Sequence, residues 1–163
     1  MEKTIISGVT LSKDEAKITL TNLPDKPGIA ASIFAPLSAA GISVDMIVQN
    51  ASTDGRSADM TFSLARKDMD MAVKLIQAED IFKDTRILAD KTVAKVSVVG
   101  IGIRSYPGVA QKMFETLANE GVNLMTIATS EVRISVLINE TQGENAVKAL
   151  HKAYGLEKLA QTL

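Results

Sequence analysis

Cysteine and tryptophan are absent from this sequence, and histidine occurs once, as His151. Without cysteine the chain has no disulfide bonds and no thiolate chemistry, a composition compatible with a reducing compartment. A single histidine excludes a metal centre that is built from several histidines. His151 lies in a stretch with helical spacing, where a surface or partly packed side chain is expected.

An excess of charge of one sign is also missing. Lysine and arginine number 18, aspartate and glutamate number 19, and the formal net charge is −1. Because the basic residues are scattered, the electrostatic footprint of a nucleic-acid-binding protein is absent, and no nucleic-acid partner is expected. No stretch approaches the ~20 apolar residues of a membrane span, and residues 1–4 are too polar for a signal peptide, so we expect a cytoplasmic protein with no membrane partner.

The motifs of nucleotide-binding and catalytic sites are missing as well. Gly100-Ile101-Gly102 opens like a dinucleotide fingerprint, but Gly108 follows too late to complete it. The lysine and hydroxyl of a phosphate-binding loop do not follow Gly108 either. Acidic residues are spread over predicted helix ends and turns, where they are ordinary. The sequence therefore predicts no catalytic residue, no metal site and no cofactor in this chain.

What the sequence does contain is one pattern used twice. Residues 16–20 followed by Pro27-Gly28 correspond to residues 94–98 followed by Pro107-Gly108. After each Pro-Gly the likeness continues at a fixed offset, where Ala30, Phe34, Leu37, Gly41 and Ile47 are answered by Ala110, Phe114, Leu117, Gly121 and Ile127. Such repetition predicts two copies of one module, and duplicated small modules usually create sites between copies.

The periodicity of apolar residues gives each copy the same order of elements. In the first copy it predicts strands at 17–21, 42–48, 58–64 and 85–89 and helices at 28–40 and 69–81. In the second copy it predicts strands at 95–99, 122–127 and 132–138 and helices at 108–119 and 143–154. The first copy thus reads β-α-β-β-α-β, an α+β arrangement.

The second copy lacks its last strand, whereas the β-rich segment 4–11 is left over before the first copy. We therefore predict that this N-terminal strand completes the sheet of the second module. The first module then occupies residues 13–90 and is inserted in the second, which takes residues 1–12 plus 91–163. Separation of the two modules near residue 90 would leave an unpaired sheet edge.

The twice-used loop before the first helix is the best candidate for a binding site. A helix that begins after Pro-Gly has backbone amides without partners in the helix, and these attract a carboxylate. Asp25 precedes Gly28, and Asp45 and Gln49 lie on the next predicted strand, so acceptors for an ammonium group surround the amides. This combination suits an amino acid, although a Pro-Gly that merely forms a tight turn is the more common case.

The residues at these positions resemble those of a known family. The carriers of the likeness are residues 25–28, the stretch Val-Asp-Met-Ile-Val-Gln-Asn at 44–50, residues 104–109 and the stretch Thr-Ser-Glu-Val-Arg-Ile-Ser-Val at 129–136. The whole chain resembles the regulatory half of aspartate kinase, a tandem of ferredoxin-like βαββαβ ACT domains. In that family the catalytic half, which binds ATP and magnesium, is separate from these modules, and some bacteria make the regulatory half as a beta subunit.

The resemblance also implies ligands and partners. ACT modules of two chains pair into a homodimer with effector sites at the joint, and the catalytic alpha subunit or half is the further partner. L-threonine, and in many members L-lysine, acts there as feedback inhibitor. Carried over by position, the threonine-binding residues are Asp25, Gly28, Ile29, Ala30, Gln49, Asn123 and Leu124. Those that resemble lysine-binding residues are Asp45, Thr129, Ser130 and Glu131, for which polar strand ends at a dimer joint are the alternative.

The second module differs from the first at the positions that would recognise an amino group. Arg104 and Ser105 occupy the turn where the first module has Asp25 and Lys26. By sequence offset, Met125 and Thr129 correspond to Asp45 and Gln49. We therefore expect the second loop to contribute to dimer structure or to one wall of a site rather than to form an equivalent site.

Two other functions remain open at this point. One is a stand-alone ACT-type amino-acid sensor that controls another protein partner. Direct control of DNA is disfavoured, because the chain has no helix-turn-helix pattern and no basic stripe. The other is a small independent enzyme on the same fold, for which no nucleophile and base can be paired.

Overall fold

The computed structural model describes residues 5–156, which form six strands and four helices. In chain order they are β1 (Ile6–Pro24), α1 (Ile29–Ala39), β2 (Val44–Ala51), β3 (Ser57–Ala65), α2 (Met69–Gln77), β4 (Arg86–Gly100), α3 (Gly108–Asn119), β5 (Thr126–Thr129), β6 (Arg133–Asn139) and α4 (Gly143–Ala153). The chain divides into two compact units. One is Asp14–Thr92, and the other joins the stretch that ends at Lys13 to the stretch that begins at Val93.

The unit Asp14–Thr92 is an antiparallel sheet with α1 and α2 on one face. Its strand order is β2-β3-β1-β4, so that β2 lies at an edge. The core residues alternate along β1 and β3, because successive side chains in a strand point to opposite faces. They are Ala16, Ile18, Leu20, Ala58, Met60, Phe62 and Leu64, and they form one buried cluster with Ile29, Ile33, Leu37, Ala72 and Ile76 of the helices.

The second unit repeats this arrangement, with strand order β1-β4-β6-β5 and with α3 and α4 on one face. Its core cluster contains Val96 and Val98 of β4, Ile134, Val136 and Ile138 of β6, and Met113, Leu117, Ala146 and Leu150 of the helices. The predicted fold, two βαββαβ modules of the α+β class, is confirmed.

The N-terminal segment completes the sheet of the second unit, as predicted. Ser7 Oγ donates a hydrogen bond to the carbonyl oxygen of Val99 at 3.2 Å, and the amide of Ile101 donates to the carbonyl oxygen of Ile5 at 3.2 Å. On its other side β4 pairs with β6 over seven residues, from Val93 opposite Asn139 to Val99 opposite Arg133. The strand that begins the chain is therefore part of the second module's sheet.

Four elements of the structure differ clearly from their predicted bounds. The strands predicted at 4–11 and 17–21 are one continuous strand of 19 residues, and those predicted at 85–89 and 95–99 are one strand of 15. α2 ends at Gln77 instead of residue 81, because the chain enters a short 3-10 turn at Asp80–Phe82. β5 begins at Thr126 instead of residue 122, although Val122 is buried as the apolar pattern requires.

Tyr154 joins the two helices of the second unit. Its side chain is buried, and its hydroxyl donates a hydrogen bond to the carbonyl oxygen of Val109 at 2.7 Å. Lys112 Nζ lies 5.6 Å from the centre of its ring. Burial raises the pKa of Tyr154 from 10.0 to about 12. The unfolded chain then loses this proton first, so the native state is destabilised as the pH rises from 10 towards 12.

We expect Tyr154→Phe to lower the free energy of unfolding by about 1–2 kcal/mol at pH 8, because a buried hydrogen bond is lost. The wild-type advantage should shrink above pH 10, since only the wild type has a tyrosine at this position to titrate. Urea unfolding of both proteins at pH 8 and pH 11 measures the two differences. If wild type and Tyr154→Phe differed by the same free energy of unfolding at both pH values, the raised pKa of Tyr154 would not influence stability. Other groups titrate alike in both proteins and therefore cancel in this difference.

Candidate functional site

The loop between β1 and α1 and the first turn of α1 together hold four of the predicted threonine-binding residues. Gly28 has φ +92°, and a Cβ at this position would meet no atom within 4 Å. The backbone angle, and not a lack of space, therefore favours glycine here. No side chain caps α1. The amides of its first turn consequently face away from the helix without the side-chain partner that many helix N-termini have.

Burial distinguishes the residue that anchors this segment from the residues that a ligand can reach. Ile29 is 3% exposed and belongs to the core cluster, so it anchors the start of α1. Asp25, Gly28 and Ala30 are exposed. The amide of Asp25 donates to the carbonyl oxygen of Arg56 at 3.3 Å, which ties the loop to the start of β3. The Asp25 carboxylate and the α1 amides are thus offered to solvent on an anchored loop.

β2 is the other element that carries predicted ligand-binding residues, and it contains a β-bulge. Asp45 lies opposite Ser63 and Val48 lies opposite Thr61, so two residues of β2 oppose the single residue Phe62 of β3. The first of these two, Met46, has φ +47°. A residue with a Cβ pays about 1–2 kcal/mol for this left-handed conformation, and glycine is the usual residue at such a bulge.

The bulge places Asp45 and Gln49 on opposite faces of the sheet. Gln49 lies opposite Met60, whose side chain is in the core beneath the helices, so Gln49 is on the helix face. Asp45 lies opposite Ser63 and is therefore on the other face. In a regular strand, residues four apart share a face. The expectation that Asp45 and Gln49 would surround the same amides is wrong for this reason.

Gln49 shares both a face and an end of the sheet with the loop before α1. It is two residues from the end of β2 at Ala51, which lies opposite Ala58. The neighbouring Ser57 lies opposite Pro24, where β1 ends and the loop begins. The structure therefore brings Gln49 and the loop from Asp25 to Ala30 to the helix face at one end of this unit's sheet.

The face that carries Asp45 has different chemistry. Asp45 Oδ1 accepts a hydrogen bond from the amide of Met46 at 2.9 Å, and its side chain is exposed. Ser63, directly opposite, is fully buried, and its hydroxyl has no hydrogen-bond partner among the described residues. Lys17 lies opposite Ser63 on the other side, in β1. Asp45, Ser63 and Lys17 therefore form one row across three strands.

The corresponding loop of the second unit has a different backbone. Gly108, the counterpart of Gly28 in sequence, is the first residue of α3, and the positive φ angle lies earlier, at Gly102 with φ +67°. Arg104, at the turn, forms an exposed ion pair with Glu131 at 3.6 Å. Such an exposed pair contributes little to stability. The loop thus differs from the first one in shape as well as in its side chains.

The remaining predicted residues lie around β5 of the second unit. Asn123 is exposed and Leu124 is half-buried, packed against that unit's core. Thr129 ends β5, and Ser130 closes the turn to β6 through its amide, which donates to the carbonyl oxygen of Arg133 at 2.8 Å. Glu131 follows in the turn. Thr129, Ser130 and Glu131 thus lie where β5 ends, whereas Asn123 and Leu124 precede its first residue.

β5 has no bulge, and this corrects one correspondence between the modules. It pairs with β6 in unbroken register from Thr126 opposite Leu137 to Thr129 opposite Ile134. Thr129 is on the helix face, like Gln49, because Ile134 is a core residue. Thr126, opposite Leu137, occupies the place that Asp45 has opposite Ser63. The counterpart of Asp45 is therefore Thr126, and not Met125 as the sequence offset predicted.

Two other features, a metal centre and a membrane-spanning helix, are absent from residues 5–156. No group of three or more histidine, aspartate or glutamate side chains there is arranged to hold a metal ion. None of the helices in this part of the chain is long and apolar enough to cross a membrane.

Comparison with known proteins identifies the family. The family model for the ACT domain matches residues 18–79 and 96–154. The regulatory subunit of aspartate kinase from Thermus thermophilus, in a ligand-free form, has 38% sequence identity and a TM-score of 0.84, over 91% of this chain and 98% of that one. The chain belongs to the family of ACT-domain regulatory parts of aspartate kinases.

Two further proteins are similar to the chain. A structure of aspartokinase alpha and beta subunits contains a chain that is 40% identical with a TM-score of 0.82, over 92% of this chain and 99% of that one. Aspartate kinase of Pseudomonas fluorescens strain SBW25 is 47% identical over 163 residues, which are 99% of this chain and 39% of that protein. The chain therefore spans about two fifths of the length of the complete kinase that it matches.

Sequence reasoning missed the bulge residue Met46, although it decides where its neighbours point. Left-handed bulge positions are usually marked by glycine or asparagine, and residues 44–50 contain only Asn50 of these two, which lies after the bulge. The available signal is Asp45, because an aspartate often accepts a hydrogen bond from a nearby backbone amide at an irregular position.

Proposed function

We propose that the chain is the regulatory part of an aspartate kinase, that it binds L-threonine as feedback inhibitor, and that L-lysine is a second effector. The observation that carries the proposal is the shared placement of Gln49 with the Asp25 to Ala30 loop, on the helix face at one end of the sheet. Family membership supports the regulatory role, and the loop chemistry supports an amino acid as ligand.

Each group in this site suits one part of threonine. The backbone amides at the start of α1, which no side chain caps, bind the carboxylate, because the N-terminus of a helix is favourable for an anion. The exposed Asp25 carboxylate binds the ammonium group in a charge-assisted hydrogen bond. Gln49 bonds the threonine hydroxyl, and Asn123 and Leu124, from the second unit of a chain, supply the remaining contacts.

The lysine site uses a separate set of residues. Asp45 is on the face away from the helices, and Thr129, Ser130 and Glu131 are at the strand end of the second unit. Two carboxylates in this set, those of Asp45 and Glu131, are suited to the two ammonium groups of lysine. The opposite orientation of Asp45 and Gln49 supports two distinct effectors and disfavours one ligand that touches both residues.

The partners follow from the relatives. The aspartokinase alpha and beta subunits occur in one solved structure, which supports a catalytic alpha subunit or half as partner of this chain. ATP and magnesium are held by that catalytic part. Pairing of ACT modules into a homodimer is supported by the exposed Ile47 and Ile127 on the edge strands β2 and β5. A cysteine-free chain suits the cytoplasm.

Isothermal titration calorimetry with L-threonine tests the proposal. We expect saturable binding, and we expect Gln49→Ala to weaken it by roughly tenfold or more, since a hydrogen-bond partner of the threonine hydroxyl is lost. Asn50→Ala is the matched control, because Asn50 is the next residue, is equally exposed and lies opposite Asp59 on the other face.

Asn50→Ala should leave the affinity within about twofold of wild type. Equal losses in the two variants would contradict the placement of the site on the helix face. No heat with threonine, in the free chain and in the complex with the catalytic part alike, would refute the threonine proposal and favour an ACT-type sensor of another small amino acid. Lysine titrated alone and after threonine then tests the second effector.

A further inference from the structure

The bulge in β2 separates two possible alignments of the strand with β3. Before the bulge, residues of β2 and β3 that lie opposite each other have numbers that sum to 108, as in Asp45 and Ser63. After it the sum is 109, as in Asn50 and Asp59. If the first alignment continued past Asp45 without the bulge, Gln49 would lie opposite Asp59 and Asn50 opposite Ala58.

The two alignments differ in the face that Gln49 occupies. Asp59 alternates with the core residues Ala58 and Met60, and its side chain is therefore on the face away from the helices. Opposite Asp59, Gln49 would point away from α1. A shift of one residue moves every later side chain of a strand to the other face. Of the two alignments, only the one that follows the bulge lets Gln49 face the loop before α1.

We propose that Met46 is a positioning residue, whose left-handed backbone conformation fixes the alignment that brings Gln49 to the ligand. Met46 makes this contribution through its φ angle of +47° rather than through its buried side chain. The inference rests on the proposed role of Gln49 in threonine binding. It assigns to Met46 a part in ligand specificity without contact with the ligand.

Two further observations support this role. The amide of Met46 donates to Asp45 Oδ1 at 2.9 Å, so that the backbone donor displaced from the ladder has an acceptor. The edge strand of the second unit, β5, keeps one alignment with β6 and has no left-handed residue. The bulge is thus a specific feature of the unit that carries Asp25 and Gln49, and not a general property of the module.

Two substitutions at Met46 distinguish a role of its backbone conformation from a role of its side-chain packing. Each role predicts that a different one of the two substitutions is the more damaging. Glycine removes the buried side chain but adopts positive φ easily. Valine keeps most of the apolar volume, but its β-branched side chain strongly disfavours positive φ. A role in backbone conformation predicts that Met46→Val is the more damaging change, whereas a role in packing predicts that Met46→Gly is.

Cross-strand NOEs between backbone protons report the alignment without any ligand. In wild type and in Met46→Gly we expect Asn50 to show NOEs to Asp59. In Met46→Val we expect the contact of Asn50 to move to Ala58. By calorimetry, Met46→Val should bind L-threonine at least about tenfold more weakly than wild type, and Met46→Gly within about threefold.

Unchanged alignment and threonine affinity in Met46→Val would overturn the proposal, as would a larger loss in Met46→Gly than in Met46→Val. The NOEs keep this inference separate from the proposed function. If wild type binds no threonine, the proposed ligand is wrong, whereas the alignment in the three proteins still shows whether Met46 sets the face of Gln49. Should Met46→Val fail to fold, Met46→Thr, which is also β-branched, takes its place in both measurements.

Discussion

Replacement of Phe62 by alanine is expected to lower the free energy of unfolding by about 3–5 kcal/mol, the range for removal of a fully buried aromatic side chain. Phe62 is fully buried at the centre of β3, and its ring meets that of Phe34 edge to face, with centroids 5.3 Å apart. Such a loss is a large share of the ~5–15 kcal/mol that stabilises a typical domain.

Urea denaturation monitored by circular dichroism measures this loss. Phe34→Ala is a matched comparison, because it removes the other ring of the pair from a position that is only partly buried. We expect a clearly smaller loss for Phe34→Ala. If Phe62→Ala cost less than Phe34→Ala, the assignment of Phe62 to the centre of this core would be wrong.

Gly100→Ala is expected to displace the N-terminal strand from the sheet of the second unit. An alanine Cβ at this position would overlap the carbonyl oxygen of Ile5 and would lie 3.1 Å from its carbonyl carbon and from Ile6 Cα. These atoms are backbone and cannot move aside as the end of a flexible side chain would. We expect a cost of about 1–3 kcal/mol or more, as for other overpacked positions.

Hydrogen exchange locates the effect of this substitution. The amide of Ile101, which donates to the carbonyl oxygen of Ile5, should exchange faster in Gly100→Ala, whereas amides in α3 should keep their protection relative to global stability. Gly108→Ala is the control. Gly108 has open space around its Cβ position and lies in the first turn of α3, so alanine there should be neutral or stabilising by up to about 1 kcal/mol.

The sequence predicts the modules and their elements well because apolar side chains recur with the period of each element. The alternation at Ile18 and Leu20 marks a strand, and the spacing of Val109, Met113 and Leu117 marks a helix, and all five are buried where expected. Burial of apolar surface is the main driving force of folding, so this pattern is the strongest signal in the chain.

Where elements begin and end was predicted less well, because polar segments carry little of this signal. The stretch 12–15 is polar and has no strand pattern of its own, yet it continues β1 without interruption, since strand hydrogen bonds are made by the backbone. The apolar pattern of α2 continues in the sequence as far as Ile81, beyond the observed end at Gln77. In the structure Ile81 and the buried Phe82 belong to a separate 3-10 turn. Tertiary packing decides such ends.

The sequence proposes residues for the candidate site, but it does not give their geometry. Asp25, Gly28 and Gln49 were chosen from their chemistry and from the resemblance, and the strand alignment brings the last to the same face and end as the first two. The opposite orientation of Asp45 was not predictable from spacing, because it follows from one left-handed residue. A methionine carries no sequence signal for that conformation.

The bulge also bears on how a duplicated module acquires two different halves. After duplication, each copy keeps its own core with the same pattern of apolar residues, and most substitutions that would distinguish the copies disturb that packing. A bulge in an edge strand leaves the central strands untouched, yet it changes which residue of the strand lies on each face. The two halves can thus carry different polar groups on the face away from the helices without a change in either core, a carboxylate at Asp45 in one and the hydroxyl of Thr126 in the other.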